Sequence, residues 1–165
     1  MSVCINQIAI HILYLVVYQG FSVFLVVLVL ALYDRLKAGS PALMQIATAL
    51  GMIWATVVIA SGMIYNIGMD SVVELYGSNP GQAVTVWLAI DSVCNGIGGG
   101  NEILGGIWIL LVSWAALRAE GLPKTLNTLG ILIGVAGIVS AFPELDEVGL
   151  IFGLGQILWF LWLGI

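Results

Sequence analysis

The chain has 165 residues, 61% apolar and 8% charged, with a mean hydropathy of +1.14 and a formal net charge of −5. A soluble globular domain carries roughly 25% charged residues, so that class is excluded. With only 4 Lys and Arg there is no basic stripe for nucleic acid, and the 2 cysteines stand in no CxxC or His-paired spacing that would hold zinc.

Apolar runs of about 20 residues recur, each able to cross ~30 Å of hydrocarbon as a helix. The short alternating segments of a membrane barrel are absent. The pattern predicts an all-α integral membrane protein, a bundle of about five transmembrane helices in the lipid bilayer. The opening MSVCINQIAIH lacks a positive n-region, so no cleavable signal peptide is expected. The first span runs over 5–33 and stops at Asp34, Arg35 and Lys37. The second, 42–68, follows Pro41, a residue suited to a first helical turn. The third segment is over-long, a crossing at 97–117 with an outer extension over 83–96. The fourth covers 125–142 and is ended by Pro143, and the fifth covers 149–165.

All cationic side chains fall in two loops, Arg35 and Lys37 in one and Arg118 and Lys124 in the other. The remaining loops, 69–82 and 143–148, hold Asp70, Glu74, Glu144, Asp146 and Glu147 without a cation. The positive-inside rule places the cationic loops in the cytoplasm, the N-terminus outside and the C-terminus inside. That parity favours one net crossing between residues 83 and 117 over two separate spans, which would put the Arg118/Lys124 loop outside. A continuous helix of that length would reach ~52 Å, longer than a bilayer core needs.

Within this segment lies DSVCNGIGGGNE, residues 91–102. At 100° per residue, Asp91, Asn95, Gly98, Glu102, Gly105 and Ser113 fall within about 80° of one another. A polar and small stripe of this kind faces protein rather than lipid. The segment is therefore expected to be helical and distorted at Gly96–Gly100. Asp91 and Glu102 would stand ~16 Å apart on such a helix, too far to act as a carboxylate pair. GIGGGN lacks the sixth-position Gly and the preceding strand of a dinucleotide-binding turn. Two readings stand: a broken helix that binds a cation or small polar solute, and close helix packing by glycine. An intramembrane carboxylate is costly, which makes Glu102 the central candidate, with Asp91, Asn95 and Asn101 lining an outward vestibule.

Counting ~20 residues back from Tyr33 puts Tyr14 near the outer boundary and His11 just outside it, where it could reach the region of Asn66, Asp70, Asp91 and Glu102. One His among scattered carboxylates has no metal-ligand spacing, and no metal site is assigned. Cys4 and Cys94 both fall on the outer side, where a disulfide would need them adjacent. Gly130-x-x-x-Gly134 and Gly149-x-x-x-Gly153 read as packing faces, toward the bundle, another copy of the chain or another membrane subunit. Tyr14, Tyr18, Tyr33, Trp87 and Trp114 read as interface anchors, while Trp54 and Trp159 fall deeper. No GxSxG, HExxH or comparable nucleophile–base set is present, so an enzyme is the weakest class and no cofactor is indicated.

The stretch NEILGGIWILLVSWAALRAEGLPKTLNTLGILIGVAGI, with GQILWFLWLGI after it, resembles a family of bacterial multi-pass membrane proteins catalogued only as a domain of unknown function. The shared features are a Gly/Glu-rich helix entrance, an aromatic-aliphatic span, a Leu-Pro-Lys turn, a Gly-rich helix and a Trp-containing final helix, over residues 97–165. The resemblance implies a multi-pass protein of the cell membrane and carries no activity or site residue. Asn127 stands where the family often has Gly. Family members usually have more helices, and the chain stops at Ile165 inside an apolar run, as a truncated C-terminus does. Two functions are expected from different classes. One is small-solute or ion binding and transport near Glu102; the other is an accessory or scaffold subunit docking through its glycine faces.

Overall fold

The computed structural model describes residues 2–98, 100–145 and 147–165, with side chains described throughout except at 2–7, 98, 100 and 143. Among these residues the chain is helical apart from short turns and has no strand. Helix α1, Ser2–Tyr14, runs through a π-helical turn, Leu15–Gly20, into α2, Phe21–Leu36. Then come α3, Pro41–Ser78; α4, Pro80–Gly98; α5, Gly100–Ala119; α6, Lys124–Val139; a 3₁₀ turn, Pro143–Leu145; and α7, Val148–Leu163.

Three stretches are long and apolar enough to cross a membrane: Ile8–Leu36, Pro41–Ser78 and Pro80–Ala119, of 29, 38 and 40 residues. A helix satisfies every backbone group within its own segment, which an apolar surrounding demands. The last two helices, α6 and α7, have 16 residues each. That is shorter than the ~20 of an upright crossing. The expected loop over 69–82 is helical except at Asn79. Asn66, Asp70 and Glu74 recur at four-residue spacing, which a helix accommodates. The break comes only at Asn79–Pro80, where Asn79 Oδ1 accepts the Gln82 N–H at 3.2 Å and proline opens α4.

The chain forms two compact units, residues 1–24 with 55–99 and residues 25–54 with 100–165. Unit 2 is built around apolar side chains: Leu25, Val29, Leu32 and Leu36 from α2, Trp54 from α3, and Trp108, Ile109 and Val112 from α5, all buried. Its α5 and α6 meet backbone to backbone. A Cβ added to Gly134 would stand 2.6 Å from the Gly106 carbonyl oxygen, and one added to Gly137 2.5 Å from that of Glu102. Side chains would hold these helices apart, which is why glycine recurs here.

Within unit 2 the two cationic turns lie at one end. A Cβ on Gly39 would be 2.5 Å from Ala119 Cβ, and one on Gly121 2.5 Å from a Leu36 methyl. Lys37 Nζ donates to Asp34 at 2.5 Å, and this carboxylate holds the ammonium above its usual range. α5 closes with Glu120 at φ 51 and the Gly121 N–H returning to the Ala116 carbonyl at 3.1 Å, a Schellman-type end. Unit 1 has a thinner apolar core, with Ala55, Val58, Ala83 and Cys94 as its buried apolar side chains among the described residues.

Candidate functional site

Unit 1 is held instead by polar and aromatic contacts. His11 of α1 reaches α3, where Nδ1 meets Asn66 Oδ1 and Nε2 meets Asp70 Oδ1 at 2.9 Å. Asn66 and Asp70 sit one helical turn apart, so one imidazole spans both. The ring thus ties α1 to α3 through both of its nitrogens. On the neighbouring α3–α4 contact, Tyr65 Oη donates to Asp91 Oδ1 at 2.8 Å and Asn95 Nδ2 donates to Asp91 Oδ2 at 3.0 Å.

Aromatic rings cluster around Tyr65, the donor to this carboxylate. Tyr14 stacks on Tyr18 and Tyr65 with centroids 5.7 and 5.6 Å apart, and the Trp87 ring lies 5.9 Å from that of Tyr65. The π-helical turn is where Tyr18 enters. Such turns shift side-chain register and recur at functional sites. Gly62 lies directly beneath the Tyr18 ring, where any side chain would displace it. Cys94, buried on α4, directs its thiol at the Ser61 carbonyl at 3.6 Å. The side chain of Cys4 lies outside the described residues, so the disulfide expectation does too.

Asp91 receives two neutral hydrogen bonds and, among the described residues, no cation. Unit 1 contains Asp70, Glu74 and Asp91 and no Lys or Arg, and its His11 is engaged by Asp70. The arrangement leaves Asp91 hydrogen-bonded, without a cation among the described residues, and joined through Tyr65 to a cluster of aromatic rings. Ring faces and a carboxylate together attract a cation.

A family model described as a domain of unknown function, DUF4386, matches residues 8–165. The chain belongs to that family. The match takes in His11, Asn66, Asp70, Asp91 and Asn95, which the resemblance over 97–165 leaves out. No curated protein and no solved structure matches this DUF4386 chain.

The other expected site residues fall in unit 2. Asn101 Oδ1 accepts the Trp54 indole N–H at 2.7 Å, so it serves packing of α3 against α5. Glu102, in the first turn of α5, is half-buried and makes no side-chain hydrogen bond or ion pair among the described residues. Gly99 lies outside the described residues, and with it the expected distortion over Gly96–Gly100. Gly96 is helical, and a Cβ there meets nothing within 4 Å, whereas close packing begins at Gly105, whose Cβ would stand 2.7 Å from Phe152 and Trp54. Gly130 lies against Ser113 and Trp159, and Gly134 against Gly106. Gly149 has only loose contact with Ser140 at 3.6 Å, Gly153 meets nothing within 4 Å, and α7 instead approaches Ile133 through Gly155. Among the described residues no three His, Cys, Asp or Glu are grouped to hold a metal ion.

Sequence reasoning misses Tyr65 and reads Tyr14, Tyr18 and Trp87 as interface anchors. The signal that could have found them is the four-residue spacing of Tyr14 with Tyr18, matched by that of Asn66 with Asp70. Both put polar-tipped residues on one helix face inside apolar runs.

Proposed function

We propose that this DUF4386 chain is a multi-pass cell-membrane protein, its N-terminus outside, that binds a small organic cation at Asp91 in unit 1 as a step in handling that solute across the membrane. The observation that carries the reading is Asp91, held by Tyr65 and Asn95 without a counter-ion among the described residues and joined through Tyr65 to an aromatic cluster. A carboxylate in an apolar helix is costly unless something offsets its charge. Tetramethylammonium fits the class, because it offers charge and methyl groups to ring faces and no hydrogen-bond donor. The meeting of the two cationic turns at one end of unit 2 supports the cytoplasmic assignment of both.

The test is thermal unfolding of the detergent-solubilised protein with tetramethylammonium chloride against sodium chloride at equal ionic strength. Tetramethylammonium raises the midpoint in the wild type and not in Asp91→Asn, while Glu102→Gln keeps the shift. Equal midpoints in both salts for the wild type remove the reading. Proteoliposome uptake of labelled tetramethylammonium then separates transport from binding alone.

The alternative, an accessory or scaffold subunit, has one observation in its favour. A Cβ added to Gly153 on α7 would meet nothing within 4 Å among the described residues, and exposed Leu150, Leu154 and Ile157 flank it. Against it, Gly106, Gly134 and Gly137 are consumed in packing within unit 2 and are not free to receive another helix.

A further inference from the structure

A second feature lies in unit 2, in the turn between α5 and α6. The turn encloses a cleft of about 270 Å³. That is just under the ~300–1,000 Å³ of drug-sized ligand pockets, so it suits a headgroup-sized molecule. Ala116 and Leu122 give it apolar walls, Glu120 and Lys124 stand exposed at its rim, and Asn127 forms its buried floor. Asn127 Nδ2 donates to the Leu122 carbonyl at 3.2 Å, but Asn127 Oδ1, fully buried, has no partner. A buried acceptor left unpaired is expensive and calls for a donor.

Glu120 adds an independent sign. It adopts φ 51, the left-handed position where helices usually end on glycine, although a glycine follows immediately at 121. Strain of this kind at a side chain that edges a cleft points to a role for that side chain. On the opposite rim, α6 starts at Lys124 behind Pro123, which provides no side-chain cap. The first-turn N–H groups therefore lack helix acceptors, and with the Lys124 ammonium they favour an anion.

The cleft thus joins an anion-seeking half to an ammonium-seeking half. Inorganic phosphate alone would be repelled by Glu120, and a simple amine by Lys124. We propose that this cleft binds a phosphoethanolamine group. Its phosphate sits on Lys124 and the α6 N-terminus, and its ammonium donates to Glu120 and to Asn127 Oδ1. A primary ammonium is required, because a quaternary one has no N–H for either acceptor. The source is a membrane lipid headgroup or the free phosphodiester. Arg118 lies over the Trp114 ring at 5.7 Å, a pairing that suits the headgroup level of a bilayer.

Two arms test this on the full chain in detergent. Glycerophosphoethanolamine is titrated against glycerophosphocholine, inorganic phosphate and glycine, with the unfolding midpoint as readout. Dioleoylphosphatidylethanolamine is compared with dioleoylphosphatidylcholine by retention in native mass spectrometry. The ethanolamine form is preferred over the choline form by about tenfold, the scale of one charge-assisted hydrogen bond. Glu120→Gln and Asn127→Ala abolish that preference, and Lys124→Ala weakens both forms alike. Glu120→Gly is the control for folding. It relieves the left-handed strain and raises the unliganded midpoint, yet loses the preference. Binding of both the soluble and lipid forms supports a headgroup site, and binding of the lipid alone identifies the bilayer as its source. Equal response to choline, phosphate or glycine, or a preference that survives in Glu120→Gly, overturns the proposal.

Discussion

The two units solve the same problem, holding apolar helices together, by different means. Unit 2 relies on contact. Its tryptophans follow one another, Trp54 to Trp108 at 5.8 Å and Trp108 to Trp159 at 6.0 Å, and its α5 and α6 backbones touch through glycine. Unit 1 has few fully buried side chains and relies on directed bonds, His11 to Asn66 and Asp70, and Tyr65 and Asn95 to Asp91. In lipid there is no hydrophobic drive between helices, so close packing and hydrogen bonds are the two main sources of association. The contrast shows where change is tolerated. A packed unit is rigid and specific, while a bonded one keeps polar groups that a solute can engage.

The largest effects should come from unit 2. Trp159 is fully buried and contacts both Trp108 and Phe160, so Trp159→Ala should cost ~3–5 kcal/mol, the range for a deleted core aromatic. Gly134→Ala comes next, because its Cβ meets the Gly106 carbonyl and Leu110 backbone rather than a movable side-chain tip. Overpacking against backbone should cost about 3 kcal/mol. Denaturant titration of the detergent-solubilised protein measures both. A loss under ~1 kcal/mol for Gly134→Ala would contradict the backbone-to-backbone crossing of α5 and α6.

Unit 1 should respond on a smaller scale. Tyr65→Phe keeps the ring in the aromatic cluster and removes only the bond to Asp91, so the expected loss is ~0.6–1.7 kcal/mol, as for hydrogen bonds between membrane helices. The same variant frees one Asp91 oxygen, so it should alter the tetramethylammonium response more than it alters stability. Gly68→Ala, one turn on along α3, should cost under ~1 kcal/mol, because its new methyl meets the far end of Ile90. If Gly68→Ala proved as damaging as Gly134→Ala, the contrast between the units would collapse.

The fold class was legible because hydropathy over about 20 residues reports on span length directly. Helix ends were less so. The acid-bearing stretch after Gly68 reads as a loop by composition, yet Asn66, Asp70 and Glu74 keep helical spacing, and only Asn79 and Pro80 supply a true break. The site was half legible. Asp91, Asn95 and His11 stand out as polar residues in apolar surroundings, but their partners do not. Tyr65 and Trp87 are ordinary membrane residues until the α3–α4 contact gives them a neighbour. Glu102 stands out in the sequence because an intramembrane carboxylate is costly, but cost alone does not reveal which acid has a built surrounding. Gly96 and Gly153 show the limit for small residues, since the sequence cannot distinguish a glycine facing a helix from one facing outward.

The smallest effect separates the two functional readings. Gly153 lies in the interior of α7, and a methyl there meets nothing within 4 Å. Alanine at such a position restricts the unfolded chain and favours the helix, so Gly153→Ala should raise stability by ~0.4–1 kcal/mol. That shift is expected from a face that meets only lipid. A face that receives another membrane helix behaves in the opposite way, because the added methyl separates the two backbones and weakens association. Chemical unfolding and cross-linking in native membranes therefore probe the same face through two readouts. Higher stability with an unchanged cross-linking pattern leaves the solute-binding reading of unit 1 as the better account. Loss of a cross-linked species in Gly153→Ala transfers the weight to the scaffold reading, whatever Asp91 binds.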